Sequence, residues 1–133
     1  KHIKCLGFLD RAGVVDILKK SKLGFVTLLP SPNDANSYPI KMFEYMAAGI
    51  PVIASNFSVY RQIIEGNNCG ICVDPYNVDE IKNAIEFIIN NPNKAKIMGD
   101  NGRRAIVDKY NWNTQETELL KICNCLADNN SSI

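Results

Sequence analysis

The chain has 133 residues, of which 46% are hydrophobic, and this suits one compact domain with a buried core. Its 15 Lys and Arg residues nearly balance 14 Asp and Glu residues, so its surface lacks the field that attracts nucleic acid. An odd number of cysteines, five, argues against a closed disulfide framework and favours a reducing, cytoplasmic setting. We therefore expect one globular domain with no nucleic-acid partner.

Short apolar runs alternate with segments of helical period along most of the chain. Strands are predicted at 3–9, 23–29, 51–55 and 71–73, and helices at 14–22, 39–48, 58–64 and 78–90. This alternation predicts an α/β fold with a Rossmann-like parallel sheet and helices on both of its faces. Because the run 23–29 is apolar on both faces, we expect that strand to lie in the middle of the sheet.

Local signals set several helix boundaries. Asn77 is a predicted cap for the helix 78–90, with the Glu80 side chain reaching back to it. Gly49 can supply a left-handed helix end, and Pro51 blocks further winding. We therefore expect the preceding helix to end at Gly49.

The C-terminal part of the chain departs from the alternation. Two closing helices are predicted at 94–109 and 114–126, with Trp112 as a packing anchor between them. We place one domain, incomplete at its N-terminal side, at 1–127. The polar segment 128–133 is expected to be a frayed tail.

A polar loop follows the strand predicted at 23–29, with the sequence Pro30-Ser-Pro-Asn-Asp-Ala-Asn-Ser-Tyr-Pro39. Ligands of an open parallel sheet bind beyond the carboxyl ends of its strands, and long loops are often functional. The loop leads into a helix whose first amide groups and positive dipole end would suit a phosphate or diphosphate. The alternative is a solvated loop before an ordinary helix.

The helix predicted at 39–48 contains a carboxylate, Glu44. That helix is apolar nearly all round, which predicts that it is buried. A carboxylate there, little more than one turn from the helix start, could accept hydrogen bonds from ligand hydroxyls. The alternatives are an ion pair with Lys41 and a solvated helix edge.

Two adjoining stretches resemble the signature of the family-4 glycosyltransferases, a GT-B group that uses nucleotide-activated sugars. They are Asn36-Ser-Tyr-Pro-Ile-Lys-Met-Phe-Glu44 and Tyr45-Met-Ala-Ala-Gly-Ile-Pro-Val-Ile53. Other family features occur in the same order at Gly7-Phe-Leu, Gly70-Ile-Cys-Val-Asp-Pro75 and Lys109-Tyr-Asn-Trp112. The resemblance implies the C-terminal, donor-binding half of a retaining enzyme of GT-B fold, a fragment inactive by itself.

The resemblance also implies roles for individual residues, though no catalytic residue within the fragment. Glu44 matches the second Glu of the family's motif of two glutamates, which binds the ribose hydroxyls of the nucleotide. Asn36 stands at the first Glu position, where its amide carries no charge. The positions that face the donor sugar and diphosphate correspond to Asn36, Ser37, Tyr38, Pro39 and Ile40.

Further expectations follow from the same resemblance. The donor is a nucleotide-diphosphate sugar, and no cofactor or obligatory metal is implied. A separate N-terminal domain of the same enzyme would bind the acceptor. The setting would be polysaccharide or glycolipid synthesis in the cytoplasm, with peripheral association at the inner face of the membrane.

Other interpretations compete with this one. A non-catalytic nucleotide- or sugar-binding module of the same fold is the main alternative, and Asn36 keeps it open. A receiver domain could use Asp74 as its acceptor carboxylate, but the acidic pair expected at an earlier strand end is missing. Cys69 and Cys72 have the spacing of redox and zinc sites, yet they enter a strand, so we expect reduced thiols without metal.

Overall fold

The computed structural model describes residues 3–31, 33 and 36–130, with side chains through residue 125. The elements in chain order are α1 (Arg11–Lys20), β1 (Gly24–Val26), α2 (Ile40–Ala48), β2 (Val52–Ser55), α3 (Ser58–Ile64), β3 (Gly70–Val73), α4 (Val78–Asn90), α5 (Pro92–Asp108) and α6 (Trp112–Asn130). The three strands of this part pair in parallel in the order β1-β2-β3. The predicted α/β fold with a parallel sheet is confirmed.

Helices cover both faces of the central strand β2. Val52 and Ala54 point to one face and join the core formed with α2, α3 and α5. Ile53 points to the opposite face, where it packs with Ala84 and Ile88 of α4. All of β2 is buried, and each Val or Ile removed from water contributes about 1.5 to 3 kcal/mol.

Helix α2 lies against the sheet through one face. Met42 and Met46 are fully buried, whereas Glu44 is exposed. The prediction of a helix buried all round is therefore wrong, because residues spaced by two lie on different sides of a helix. The helix ends at Gly49, whose φ of 74° is the left-handed conformation that glycine adopts without steric cost. This predicted helix end is confirmed.

Helix α5 approaches the end of α2 closely because Gly99 has no side chain. A Cβ atom at Gly99 would collide with the carbonyl oxygen of Gly49. Beside this contact, Arg103 Nε donates to the carbonyl oxygen of Ala47 at 3.3 Å. A basic side chain at a helix carboxyl end satisfies an otherwise unpaired carbonyl, so this bond helps to fix α5 on α2.

Two hydrogen bonds were predicted for the cap of α4, and the structure confirms one of them and contradicts the other. Asn77 Oδ1 accepts a hydrogen bond from the Glu80 amide at 3.1 Å, as predicted. The Glu80 carboxylate accepts from the amide of Asp74 at 3.2 Å, however, and not from that of Asn77. The Asn77 amide already donates to the carbonyl oxygen of Asp74 at 3.0 Å, so Glu80 accepts from the amide of Asp74 instead.

Helix α6 extends through Asn130, so it includes the first residues of the segment predicted as a tail, while residues 131–133 lie outside the described part. None of its described side chains is buried. Trp112 is 70% exposed, so its predicted role as an anchor between the closing helices is wrong. The reason is that α6 does not fold back along α5. Within the described residues no helix combines the length and apolarity needed to cross a membrane.

The strand predicted at the start of the chain is not formed. The described residues 3–9 contain no strand, and Phe8 is 99% exposed. Gly7 has a φ of 70°, which interrupts an extended backbone. No strand of the sheet pairs with this segment, and an apolar run without a hydrogen-bonding neighbour does not become a strand.

The position predicted for the strand within 23–29 is also wrong. β1 is shorter than that run and lies at an edge of the described sheet, with β2 in the middle. A strand that is apolar on both faces is predicted to have helices covering both faces. The pattern does not indicate that other strands pair with both of its edges. By register Phe25 lies on the same face as Ile53, and it lines a cavity together with residues of α1.

The two cysteines of the Cys69-Gly-Ile-Cys72 segment belong to the core. Both side chains are buried, and burial raises the pKa of Cys69 to about 11 and that of Cys72 to about 12. Cys69 Sγ also donates to the carbonyl oxygen of Ile64 at 3.4 Å. A thiol that stays protonated and buried is a poor nucleophile at neutral pH.

We predict that a thiol reagent at pH 8 modifies the exposed Cys5, Cys123 and Cys125 rapidly in the folded protein. Cys69 and Cys72 should react only after the chain unfolds, because their thiolates are suppressed and covered. Mass spectrometry before and after addition of denaturant would measure three and then five modified cysteines of this chain. Modification of Cys72 in the native state at the rate of Cys123 would contradict the packing.

Candidate functional site

The loop 27–39 leaves the carboxyl end of β1 and leads into α2, and two hydrogen bonds tie its described parts to neighbouring elements. Ser55, fully buried at the end of β2, donates from Oγ to the carbonyl oxygen of Leu28 at 2.6 Å. Ser37 Oγ lies 3.2 Å from the hydroxyl of Tyr60, a fully buried residue of α3. Both ends of the loop are therefore fixed to the core.

The residues before α2 present backbone groups at the carboxyl edge of the sheet. Asn36 is exposed, Ser37 is half-buried, and the Tyr38 side chain is 63% exposed. No side chain caps the helix start. Pro39 has no amide hydrogen, and its carbonyl accepts from Met42 at 3.0 Å, so it shapes the loop and donates nothing. Pro32, Asp34 and Ala35 of this loop lie outside the described residues.

Glu44 projects from the flank of α2. Within the described part of the chain its carboxylate makes no hydrogen bond or ion pair, so the alternative of an ion pair with Lys41 is not realised. Burial, with a smaller contribution from the Glu44 charge, raises the pKa of the neighbouring Tyr45. The carboxylate of Glu44 is thus available to hydroxyl donors of a ligand.

A cavity of about 520 Å³ lies between α1 and α2, and Glu44 forms part of its wall. Three basic side chains and this one carboxylate line it, together with an apolar wall, so an anion with an apolar face would fit. Sequence reasoning missed these basic residues because they come from two distant helices. The lining consists of Leu9, Arg11, Val14, Val15, Leu18, Lys19, Glu44, Ala47, Ala48 and Arg103.

A second cavity of about 490 Å³ lies on another flank of α2, lined by Tyr38, Phe43, Tyr110 and Gln115. The rings of Phe43 and Tyr110 are in contact, with centroids 5.4 Å apart and planes tilted by 56°. Successive residues of a helix are rotated by about 100°, so Phe43 and Glu44 face different flanks. Tyr38 of the loop before α2 lines this second cavity, whereas Glu44, Ala47 and Ala48 of α2 line the first.

The residues that suggested a receiver domain or a redox or zinc site have structural roles in the fold. Asp74 Oδ1 accepts from the Tyr76 amide at 2.9 Å and so stabilises the turn after β3. Cys69 and Cys72 are part of the core described above. The part of the chain that the structure describes contains no group of three or more His, Cys, Asp or Glu residues placed to hold a metal ion.

The doubly covered parallel sheet, with a long loop and a helix start at its carboxyl edge, defines a Rossmann-like α/β domain, a class whose ligands bind at that edge. The family model "Glycosyl transferases group 1" matches residues 1–105. The chain therefore belongs to the group 1 glycosyltransferase family.

Curated relatives and a solved structure agree with this assignment. The chain is 30% identical over 65% of its length to the GDP-mannose-dependent alpha-(1-6)-phosphatidylinositol monomannoside mannosyltransferase of Mycobacterium tuberculosis, covering 22% of it. It is 25% identical over 100% of its length to the phosphatidyl-myo-inositol mannosyltransferase of Mycobacterium leprae, covering 34% of it. The sucrose-phosphate synthase of Thermosynechococcus elongatus superposes with a TM-score of 0.80 at 24% identity, over 92% of this chain and 30% of that one, which shows the GT-B fold. The chain thus spans about a fifth to a third of these proteins.

We predict that Ser55→Ala lowers the free energy of unfolding by about 1 to 3 kcal/mol, because it leaves the part-buried Leu28 carbonyl without the hydrogen bond from Ser55. Ser21→Ala is the matched control, since Ser21 also donates to a carbonyl, that of Ile17, but at the surface. Its effect should stay below about 0.5 kcal/mol. Urea unfolding monitored by circular dichroism measures both. Equal effects would show that the bond from Ser55 does not hold the loop.

Proposed function

We propose that this chain is the donor-binding part of a retaining glycosyltransferase that transfers a sugar from a nucleotide-sugar to an acceptor hydroxyl. The observation that carries the proposal is the Glu44 carboxylate, unpaired among the described residues, in the wall of the cavity between α1 and α2, little more than one turn along the helix that the loop 27–39 leads into. A carboxylate is suited to accept hydrogen bonds from two ribose hydroxyls. Family membership supports the same role.

In this proposal the nucleotide lies along the α1 flank of α2. Glu44 binds the ribose, and the base contacts the apolar wall that includes Val14 and Leu18. The diphosphate lies near the start of α2, where the amides of Tyr38 and Ile40 and the positive end of the helix dipole favour negative charge. The donor sugar then lies against the loop at Asn36 and Ser37.

The chemistry follows from this placement. The bond between the anomeric carbon and the diphosphate oxygen breaks, a bond from that carbon to the acceptor oxygen forms on the same face of the sugar, and the proton of the acceptor hydroxyl passes to the departing diphosphate. The leaving diphosphate gains negative charge, so preorganised donors around it lower the barrier. This charge stabilisation makes an obligatory metal or other cofactor unnecessary in our proposal. Because the acceptor would bind to another domain, the chain alone is expected to transfer no sugar.

The printed names of the relatives suggest a donor and a setting. One is described as GDP-mannose-dependent, and two act on phosphatidylinositol derivatives. We propose GDP-mannose as the first candidate donor. Synthesis of a polysaccharide or glycolipid at the inner face of the membrane, by a peripherally associated cytoplasmic enzyme, fits the same names.

A non-catalytic binding module is the second candidate, and Asn36 is the observation that favours it. An amide at this position can bind sugar hydroxyls, but it supplies no negative charge near the anomeric carbon. Such a module would bind the nucleotide-sugar and leave it intact. Release of nucleoside diphosphate by the full-length protein in the presence of acceptor separates the two candidates.

We predict that Glu44→Gln in the full-length protein weakens binding of GDP and of GDP-mannose together, by roughly tenfold or more. The loss corresponds to charged hydrogen bonds to ribose worth about 1.5 to 3 kcal/mol. Isothermal calorimetry measures both affinities. Glu116→Gln, at an exposed position on α6, is the matched control and should change neither. Unchanged GDP affinity in a folded Glu44→Gln protein would remove Glu44 from the site.

A different result is expected for Asn36→Ala. We predict nearly unchanged affinity for GDP, because Asn36 lies in the loop beyond the diphosphate, together with a reduced rate of sugar transfer. Calorimetry with GDP and a rate measurement with GDP-mannose and acceptor test the two parts. A loss of GDP affinity equal to that of Glu44→Gln would place Asn36 at the nucleotide instead.

A further inference from the structure

The cavity lined by Tyr38, Phe43, Tyr110 and Gln115, here called the aromatic pocket, has a chemistry unlike that of the cavity beside Glu44. None of its lining residues carries a charge. The cavity beside Glu44, in contrast, contains Arg11, Lys19 and Arg103. The aromatic pocket therefore favours a neutral ligand, whereas the other cavity favours an anion.

Its side chains are available to a ligand. Tyr38 is 63% exposed, and Gln115 is exposed on the first turn of α6. Among the described residues, the side chains of Tyr38 and Gln115 make no hydrogen bond. The Tyr110 ring is fixed by its contact with Phe43, and its hydroxyl accepts from Asn67 Nδ2 at 3.3 Å. The pocket thus combines a fixed aromatic wall with free polar groups.

We propose that the aromatic pocket binds a pyranose ring. One face of a pyranose carries C–H groups with partial positive charge, which pack on the negative face of an aromatic ring. Its hydroxyls both donate and accept hydrogen bonds, as do the amide of Gln115 and the hydroxyl of Tyr38. The cavity volume of about 490 Å³ lies within the range of small-molecule sites.

The position of the pocket connects it with sugar transfer, and this step rests on the proposed function. Tyr38 lies in the loop before α2, so the pocket begins where the donor's diphosphate is proposed to end. Its pyranose is therefore either the sugar of the donor or a sugar of the acceptor. Both sources present the same ring chemistry, and competition distinguishes them.

Saturation-transfer NMR on the full-length protein, with methyl α-D-mannopyranoside as the probe, tests the proposal. We expect saturation of the C–H protons of the ring, and no comparable signal from sorbitol, an open-chain polyol without a ring face. Tyr38→Ala should lower the signal at least fivefold, and Tyr38→Phe should retain more than half of it. Tyr76→Ala is the matched control, because Tyr76 is 67% exposed outside the pocket, and it should leave the signal unchanged.

Gln115→Leu is a second variant, since Gln115 is exposed on a helix and its loss should not disturb the loop; we expect at least a twofold decrease. Displacement of the probe by GDP-mannose but not by GDP assigns the pocket to the donor sugar. Retention of the probe with both assigns it to another saccharide. Displacement by GDP, an equal signal from sorbitol, or an unchanged signal in both Tyr38→Ala and Gln115→Leu overturns the proposal. Glu44→Gln calorimetry then reports separately on the nucleotide site.

Discussion

The packing of Met42 and Met46 against the sheet is the constraint on which the candidate site depends. With these two side chains fully buried, the rotation of α2 about its axis is fixed. Glu44 must then face the cavity on the α1 side, and Phe43 must face the aromatic pocket. Gly49 at one end of the helix and the anchored loop at the other hold it in position along its axis. One apolar stripe thus orients Phe43 and Glu44, the two side chains of α2 that we assign to ligands.

Charge divides the surface around α2 into two regions. On one side, basic residues from α1 and α5 surround a single carboxylate, and the lining suits a nucleotide. On the other side, aromatic and amide groups offer a neutral surface. A nucleotide-sugar has the same division, with a charged diphosphate between an aromatic base and a neutral ring. Tyr38 of the loop before α2 lines the neutral region and Glu44 of α2 lines the charged one, so in our proposal a single donor extends across both.

Local sequence predicted well where the determining interaction is itself local. The Asn77 cap and the left-handed turn at Gly49 depend on residues within a few positions of each other, and the structure has both. The two adjoining stretches from Asn36 to Ile53, with further family features in the same order, indicated the family. The predictions that failed concern neighbours distant in sequence. The segment 3–9 has the pattern of a strand, but no strand of the described sheet pairs with it. Trp112 is large enough to be a packing anchor, but it is 70% exposed.

The sequence by itself determined the α/β class, the start of α4 at the Asn77 cap and the end of α2 at Gly49, because these follow from periodicity and backbone preferences. A compact motif, through the family resemblance, made Glu44 the candidate for binding ribose. Only the tertiary structure decided that β1 lies at an edge of the described sheet, that Glu44 is exposed and unpaired, and that Tyr110 and Gln115 join Tyr38 around one pocket. Tyr38 and Tyr110 are separated by most of the domain in sequence. Their proximity arises from the packing of α5 on α2, which Gly99 permits and which no local pattern encodes.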